Sequence, residues 1–286
     1  MTVVLALMAS VFIGISDFVG GTASRTYSPL QVTVVLHLAT IVTLVPIAIV
    51  LGASDLTLHD AGLGAASGLA TGIAYVGFFA AIGHGRIGVV VPVSAAMTAL
   101  LPTAVGIGEG NALSTLTEVG VLCALVSIPL VAYETGHDES GHDDLTTEDW
   151  PASRQVAVSI LCGLGFGTYF VCVGHTSLGA GLWPTVGNLV VAATLTGAIA
   201  IARGVIPSHG SIPRLAVAGG VALGIADTGL TTALQRGPLT VASVLGNLYP
   251  LVTIALGVAL LGERVRAWQG AGIALAISGV VMIAAG

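Results

Sequence analysis

Gly68-Leu-Ala-Thr-Gly-Ile-Ala-Tyr75 and Gly220-Val-Ala-Leu-Gly-Ile-Ala-Asp227 are two versions of one pattern, 152 residues apart (68 against 220). At that same offset Gly85 meets Gly237, Val89 meets Val241 and Gly120 meets Gly272. Earlier in the chain Phe18-Val19 meets Phe170-Val171, and Thr33 meets Thr185. Small-residue matches come easily in a chain with 40 glycines. A register that holds from the first apolar segment to the fifth does not, and it reads as an internal duplication.

The composition says what kind of segment is duplicated. Of 286 residues, 55% are hydrophobic and only 8% charged, with a mean hydropathy of +1.01. Soluble domains carry about 25% charged residues, so this inventory cannot cover a water-exposed surface. Glycine suits membrane helices, where a missing side chain lets backbones approach closely. A helix needs about 20 apolar residues to cross the hydrocarbon. Proline, charge and polar clusters divide the chain into ten such segments: 2–20, 30–52, 60–83, 87–107, 114–133, 155–174, 182–203, 213–235, 239–261 and 267–285. The expected fold is an all-α membrane protein with ten transmembrane helices in two five-helix repeats, 1–133 and 155–286. The acidic stretch 134–154 links them. Five spans is an odd number, so the second repeat enters the membrane from the opposite face. Inverted repeats of this kind characterise secondary transporters, in which two related packings alternate access to a central site.

Several function classes are excluded. The net charge of −6 resides largely in residues 138–149, and all eight basic residues are arginines, so no basic patch exists to hold nucleic acid. Cys123, Cys162 and Cys172 lie in apolar segments without a C-x-x-C pair, which argues against a disulfide framework or a zinc site. His137-Asp-Glu-Ser-Gly-His142-Asp-Asp reads as a solvated linker rather than a metal loop, because nothing fixes its geometry. No nucleophile–base set or H-E-x-x-H motif is present, so no enzyme, cofactor or catalytic residue is expected. The first segment has no basic n-region and reads as a span, not a cleaved signal.

The stretch Ala233-Leu-Gln-Arg-Gly-Pro-Leu-Thr-Val-Ala-Ser-Val-Leu-Gly-Asn-Leu-Tyr-Pro250, followed by Gly262-Glu263-Arg264, resembles the EamA domain of the drug/metabolite transporter superfamily. Gly85-Arg-Ile-Gly-Val-Val-Val-Pro92 and then Gly108-Glu109 form a degraded copy in the first half. The resemblance implies a ten-helix carrier of small metabolites, commonly driven by protons or exchange. The copies depart in detail: Pro92 falls opposite Val244, Pro250 falls opposite Thr98, and the two Gly-Glu pairs are two residues out of register.

Ionisable groups within apolar spans are costly, which makes each a functional candidate. Asp17 falls opposite Tyr169 and Asp227 opposite Tyr75, so each half supplies one acid and one tyrosine at equivalent positions. These four are expected to line a central cavity, with a carboxylate able to exchange a proton. Asn247 and Tyr249, beside the helix-kinking Pro250, are further substrate-binding candidates. His37, as a proton relay, and Asn188, as a hydrogen-bond partner, complete the set. The glycine ladder Gly64, Gly68 and Gly72 is expected to pack closely on another helix. The expected function is alternating-access transport of a small metabolite, an amino acid or similar, as efflux with proton coupling or exchange. The expected setting is the cell membrane, with lipid and substrate as partners. A passive channel or a non-transporting membrane receptor or scaffold is the alternative. Seven of the eight arginines lie on one set of alternate connections, which would place that face in the cytoplasm. The family resemblance implies the reverse orientation.

Overall fold

The computed structural model describes residues 2–109, 114–132, 150–205, 213–237, 239–262 and 267–285. Every regular element among them is helical. The helices are α1 (Thr2–Ser24), α2 (Pro29–Leu51), α3 (Leu58–Gly83), α4 (Ile87–Gly108), α5 (Thr115–Ala132) and α6 (Ala152–Gly174). They continue with α7 (Trp183–Ala202), α8 (Arg214–Arg236), α9 (Leu239–Gly246), α10 (Tyr249–Leu261) and α11 (Ala267–Ala285). Among the described residues seven helices, α1 to α4 and α6 to α8, are long and apolar enough to cross a membrane. Large apolar side chains such as Val42, Val50, Leu161 and Ile201 point outward, as lipid-facing side chains must. The acidic loop 137–144, Arg264 and Arg266 lie outside the described residues.

The segment 239–261 departs from the expected single span. It is two helices, α9 and α10, separated by Asn247 and Leu248. The cause is local. Pro250 has no N–H to donate to the carbonyl four residues back, and its ring crowds that position. In the first turn of a new helix neither defect matters, and Pro250 sits there, next to Tyr249.

Glycine decides how the long helices meet. A Cβ placed on Gly68 would collide with the Asn188 carbonyl, one on Gly64 with the Pro184 carbonyl, and one on Gly72 would press on Ala192. This brings α3 onto α7 at backbone contact. On α8, Gly220 sits on the Leu36 carbonyl and Gly224 on Thr43, bringing α8 onto α2 in the same manner. The remaining large contacts follow suit: α1 packs on α8 and α6 on α3; α4 packs on α6 and α9 with α10 on α1; α5 packs on α11. Exchanging every helix for its counterpart in the other half leaves this set of pairs unchanged.

Polar contacts tie the connections together. Thr57 caps α3 by accepting from the Asp60 N–H, while the Asp60 carboxylate accepts from the Thr57 N–H, a capping box. The same carboxylate takes the Ser177 N–H at 2.8 Å and the Ser177 hydroxyl at 3.0 Å, and Gly179 O accepts from Ser54 and Asp55 N–H. The connection between α6 and α7 is thereby fastened to the start of α3. At the opposite ends of the helices, Trp150 stacks on His84 and lies under the Arg154 guanidinium.

A central cavity lined from both halves

Asp17 on α1 and Asp227 on α8 are both buried, with 3% and 6% of their surface exposed. They open onto one cavity in the middle of the helices. Tyr75 on α3, Tyr169 on α6, Asn188 on α7 and Tyr249 at the start of α10 complete its polar wall, with Thr71 and Thr98. Phe166, Phe170, Ile13, Leu189, Leu223 and Leu230 supply the apolar wall. The cavity therefore carries two carboxyl groups and three phenols, and none of its lining residues is basic.

Helix periodicity explains which residues join. Ile13 and Asp17, Thr71 and Tyr75, Phe166 and Phe170, and Leu223 and Asp227 are each four residues apart, and side chains at that spacing share one helix face. Extending one turn back from each nominated acid or tyrosine would have found Thr71, Ile13 and Leu223. Nothing in the sequence singled out Thr98, a small polar residue in an apolar run.

The aromatic wall is tightly coupled. Tyr75 meets Phe166 edge-on at 4.8 Å between centroids and the His37 ring at 5.2 Å with an interplanar angle of 85°. Offset and edge-on arrangements are those the ring quadrupoles favour. Asn188 Nδ2 donates to the hydroxyls of Ser67 at 2.8 Å and Thr71 at 3.1 Å, which fixes its amide across the contact between α7 and α3. On α6, the Tyr169 hydroxyl meets the hydroxyls of Thr185 and Thr231 at 3.4 and 3.3 Å.

Six of the eight nominated residues thus lie on one cavity: Asp17, Tyr75, Tyr169, Asn188, Asp227 and Tyr249. Two lie elsewhere. His37 is fully buried behind Tyr75, with Nδ1 making no hydrogen bond among the described residues. Asn247 is buried at the break between α9 and α10; its Nδ2 donates to Ser243 O at 2.7 Å, while its Oδ1 has no partner among the described residues. No group of three or more His, Cys, Asp or Glu residues suited to a metal occurs among the described residues.

Long apolar helices gathered around a polar, acid-bearing cavity define an integral, multi-pass membrane protein. Residues 146–285 match the EamA-like transporter family, which belongs to the drug/metabolite transporter superfamily. A solved structure described as "Crystal structure of protein" shares the fold with a TM-score of 0.68 at 16% identity, over 97% of this chain and 94% of that one. No curated protein matches the chain.

Proposed function

We propose that the chain is a secondary transporter that works by alternating access, built from two inverted five-helix units, 1–133 and 155–286, joined by the acidic segment 134–154. The family match supports transport of a small molecule. The exchange of helices between halves supports the duplication, because the same contacts recur with the units swapped. Related but non-identical halves give two packings of similar energy, and rocking between them opens a central site to either side in turn.

The observation that carries this reading is the cavity between the halves, with Asp17 from one and Asp227 from the other. A carboxylate in low dielectric is stabilised by a bound cation or by a proton. A substrate ammonium and a proton would then compete for the same groups, coupling uptake of one to release of the other. Three tyrosines offer aromatic faces and hydroxyls to an amine, and Asn188, Thr71 and Thr98 offer neutral hydrogen bonds. An amino acid or a similar small ammonium-bearing metabolite, exported by proton coupling or exchange, fits this lining.

Counterflow of labelled amino acids and amines into liposomes containing the purified protein tests the proposal. The expected result is saturable exchange that Asp227→Asn abolishes and Asp17→Asn impairs. Flux that never saturates would identify a channel, and ligand binding without flux a receptor. Exchange that both variants carry at the wild-type rate and proton dependence would move the site elsewhere.

A further inference from the structure

A cluster of buried hydroxyls stands on the Asp227 side of the cavity, with Thr231 one turn along the same helix. The Thr185 and Thr231 hydroxyls lie 2.7 Å apart, both fully buried, and the Tyr169 hydroxyl is within 3.4 Å of each. Tyr169 and Asp227 line the same cavity, so the phenol stands between this hydroxyl pair and the space that the carboxyl faces. Thr231 is one turn beyond Asp227 on α8, and Gln235 one turn further, so Asp227, Thr231 and Gln235 form a polar stripe on one face. Gln235 Nε2 donates to Thr176 Oγ1 and to Gly181 O, both at 2.9 Å, in the connection between α6 and α7. Thr185 belongs to the first turn of α7, immediately after that connection.

The equivalent positions of the first half cannot make this arrangement. Phe79 replaces Thr231 and Gly83 replaces Gln235 at the repeat offset. Thr33 replaces Thr185, but its hydroxyl donates to Pro29 O in its own helix at 2.8 Å. Between two halves that otherwise pack alike, the hydroxyl cluster is a one-sided feature.

We propose that Tyr169, Thr231 and Thr185 form a proton path that serves Asp227 from the face bearing the 175–182 connection. This rests on the proton-coupled reading of Asp227. In the uptake step the Tyr169 O–H gives its proton to the Asp227 carboxylate as the phenol oxygen accepts one from Thr231. Thr231 is reprotonated by Thr185, and the fully buried Thr185 takes its proton through one bridging water from a hydronium at the Gln235 rim, which is left as water. Each hydroxyl ends neutral and the net change is one proton moved from the rim to Asp227. The step from the threonines to Gln235 spans one helical turn, about 6 Å at 1.5 Å rise per residue, a distance one water molecule bridges.

Infrared spectroscopy of the reconstituted protein tests this without any substrate. The carboxyl C=O band that Asp227→Asn removes is followed while H₂O is exchanged for D₂O. Thr231→Val and Thr185→Val preserve side-chain shape and remove the hydroxyl, and each is expected to slow deuteration of that band by about tenfold or more. Thr231→Ser restores the wild-type rate, Gln235→Leu slows exchange, and Thr33→Val in the other half leaves it unchanged. Wild-type exchange in both valine variants would overturn the path while leaving the carrier reading intact. If no carboxyl band depends on Asp227 at any pH, the path and the proton-coupled reading fail together.

Discussion

Gly68 of α3 rests on the backbone carbonyl of Asn188 in α7, so closely that a methyl group at Gly68 would overlap the oxygen. The same contact recurs 152 residues on, where Gly220 of α8 rests on the Leu36 carbonyl of α2. Asn188 and Leu36 are themselves 152 residues apart, so both partners obey the repeat. Lipid offers helices no hydrophobic drive to associate, which leaves close packing as a principal attraction. A colliding Cβ with backbone behind it cannot be relieved by a rotamer change. Gly68→Ala and Gly220→Ala should therefore each cost about 1–3 kcal/mol, the usual range for overpacking. Gly62→Ala, where a Cβ meets nothing within 4 Å, is the control and should leave stability unchanged or slightly higher. Thermal melts in detergent decide it, and equal midpoints for Gly68→Ala and Gly62→Ala would refute the packing argument.

That contact was legible in the sequence because small residues at a spacing of four can do little else in lipid than admit another backbone. The pairing of Asp17 with Tyr169 and of Asp227 with Tyr75 was legible for a related reason: costly residues were kept at equivalent places in both halves. The break at Asn247–Leu248 was only half visible. Pro250 announced a kink, but whether the chain bends or starts a new helix depends on what packs around it. Thr185 and Thr231 were not legible at all. Threonine in a membrane helix usually bonds the carbonyl one turn back, as Thr40 and Thr103 do here, and only the three-dimensional meeting of α6, α7 and α8 reveals the exception. The fastening of Ser177 to Asp60 was hidden likewise, since the two residues lie on different connections.

His175, just past the end of α6, gives a pH dependence whose sign can be worked out. Its Nδ1 lies 2.7 Å from Val171 O and its Nε2 2.7 Å from Glu109 Oε1. A carbonyl and a carboxylate both accept, so the ring is held with a proton on each nitrogen. The Val171 carbonyl and then the Glu109 carboxylate raise its pKa above the ordinary 6.5. A folded-state value above the unfolded one means stability that is fully present below pH 6.5 and is lost as pH rises through the raised value. The pair is well exposed, 38% for His175 and 47% for Glu109, and solvent keeps such pairs below about 1 kcal/mol. The melting temperature of wild type should exceed that of Glu109→Gln slightly at pH 6, and the gap should close on the alkaline side. A gap that widens with pH would reverse the assignment.

His37 sets an orphaned ring nitrogen against an aromatic contact, and the magnitudes choose between them. Its Nδ1 is buried without a hydrogen-bond partner among the described residues, a defect that costs about 1–3 kcal/mol. Its edge-on contact with Tyr75 returns about 0.5–1.5 kcal/mol. Leucine has nearly the same volume and is the residue at the equivalent position, Leu189. His37→Leu should therefore raise the melting temperature, with a gain of about 1 kcal/mol. Because the ring stands behind Tyr75 and outside the cavity wall, the variant should also keep its counterflow rate and proton dependence. Loss of proton dependence with counterflow retained would make His37 a relay after all, and a lower melting temperature would mean that Tyr75 relies on the imidazole more than the orphaned nitrogen costs.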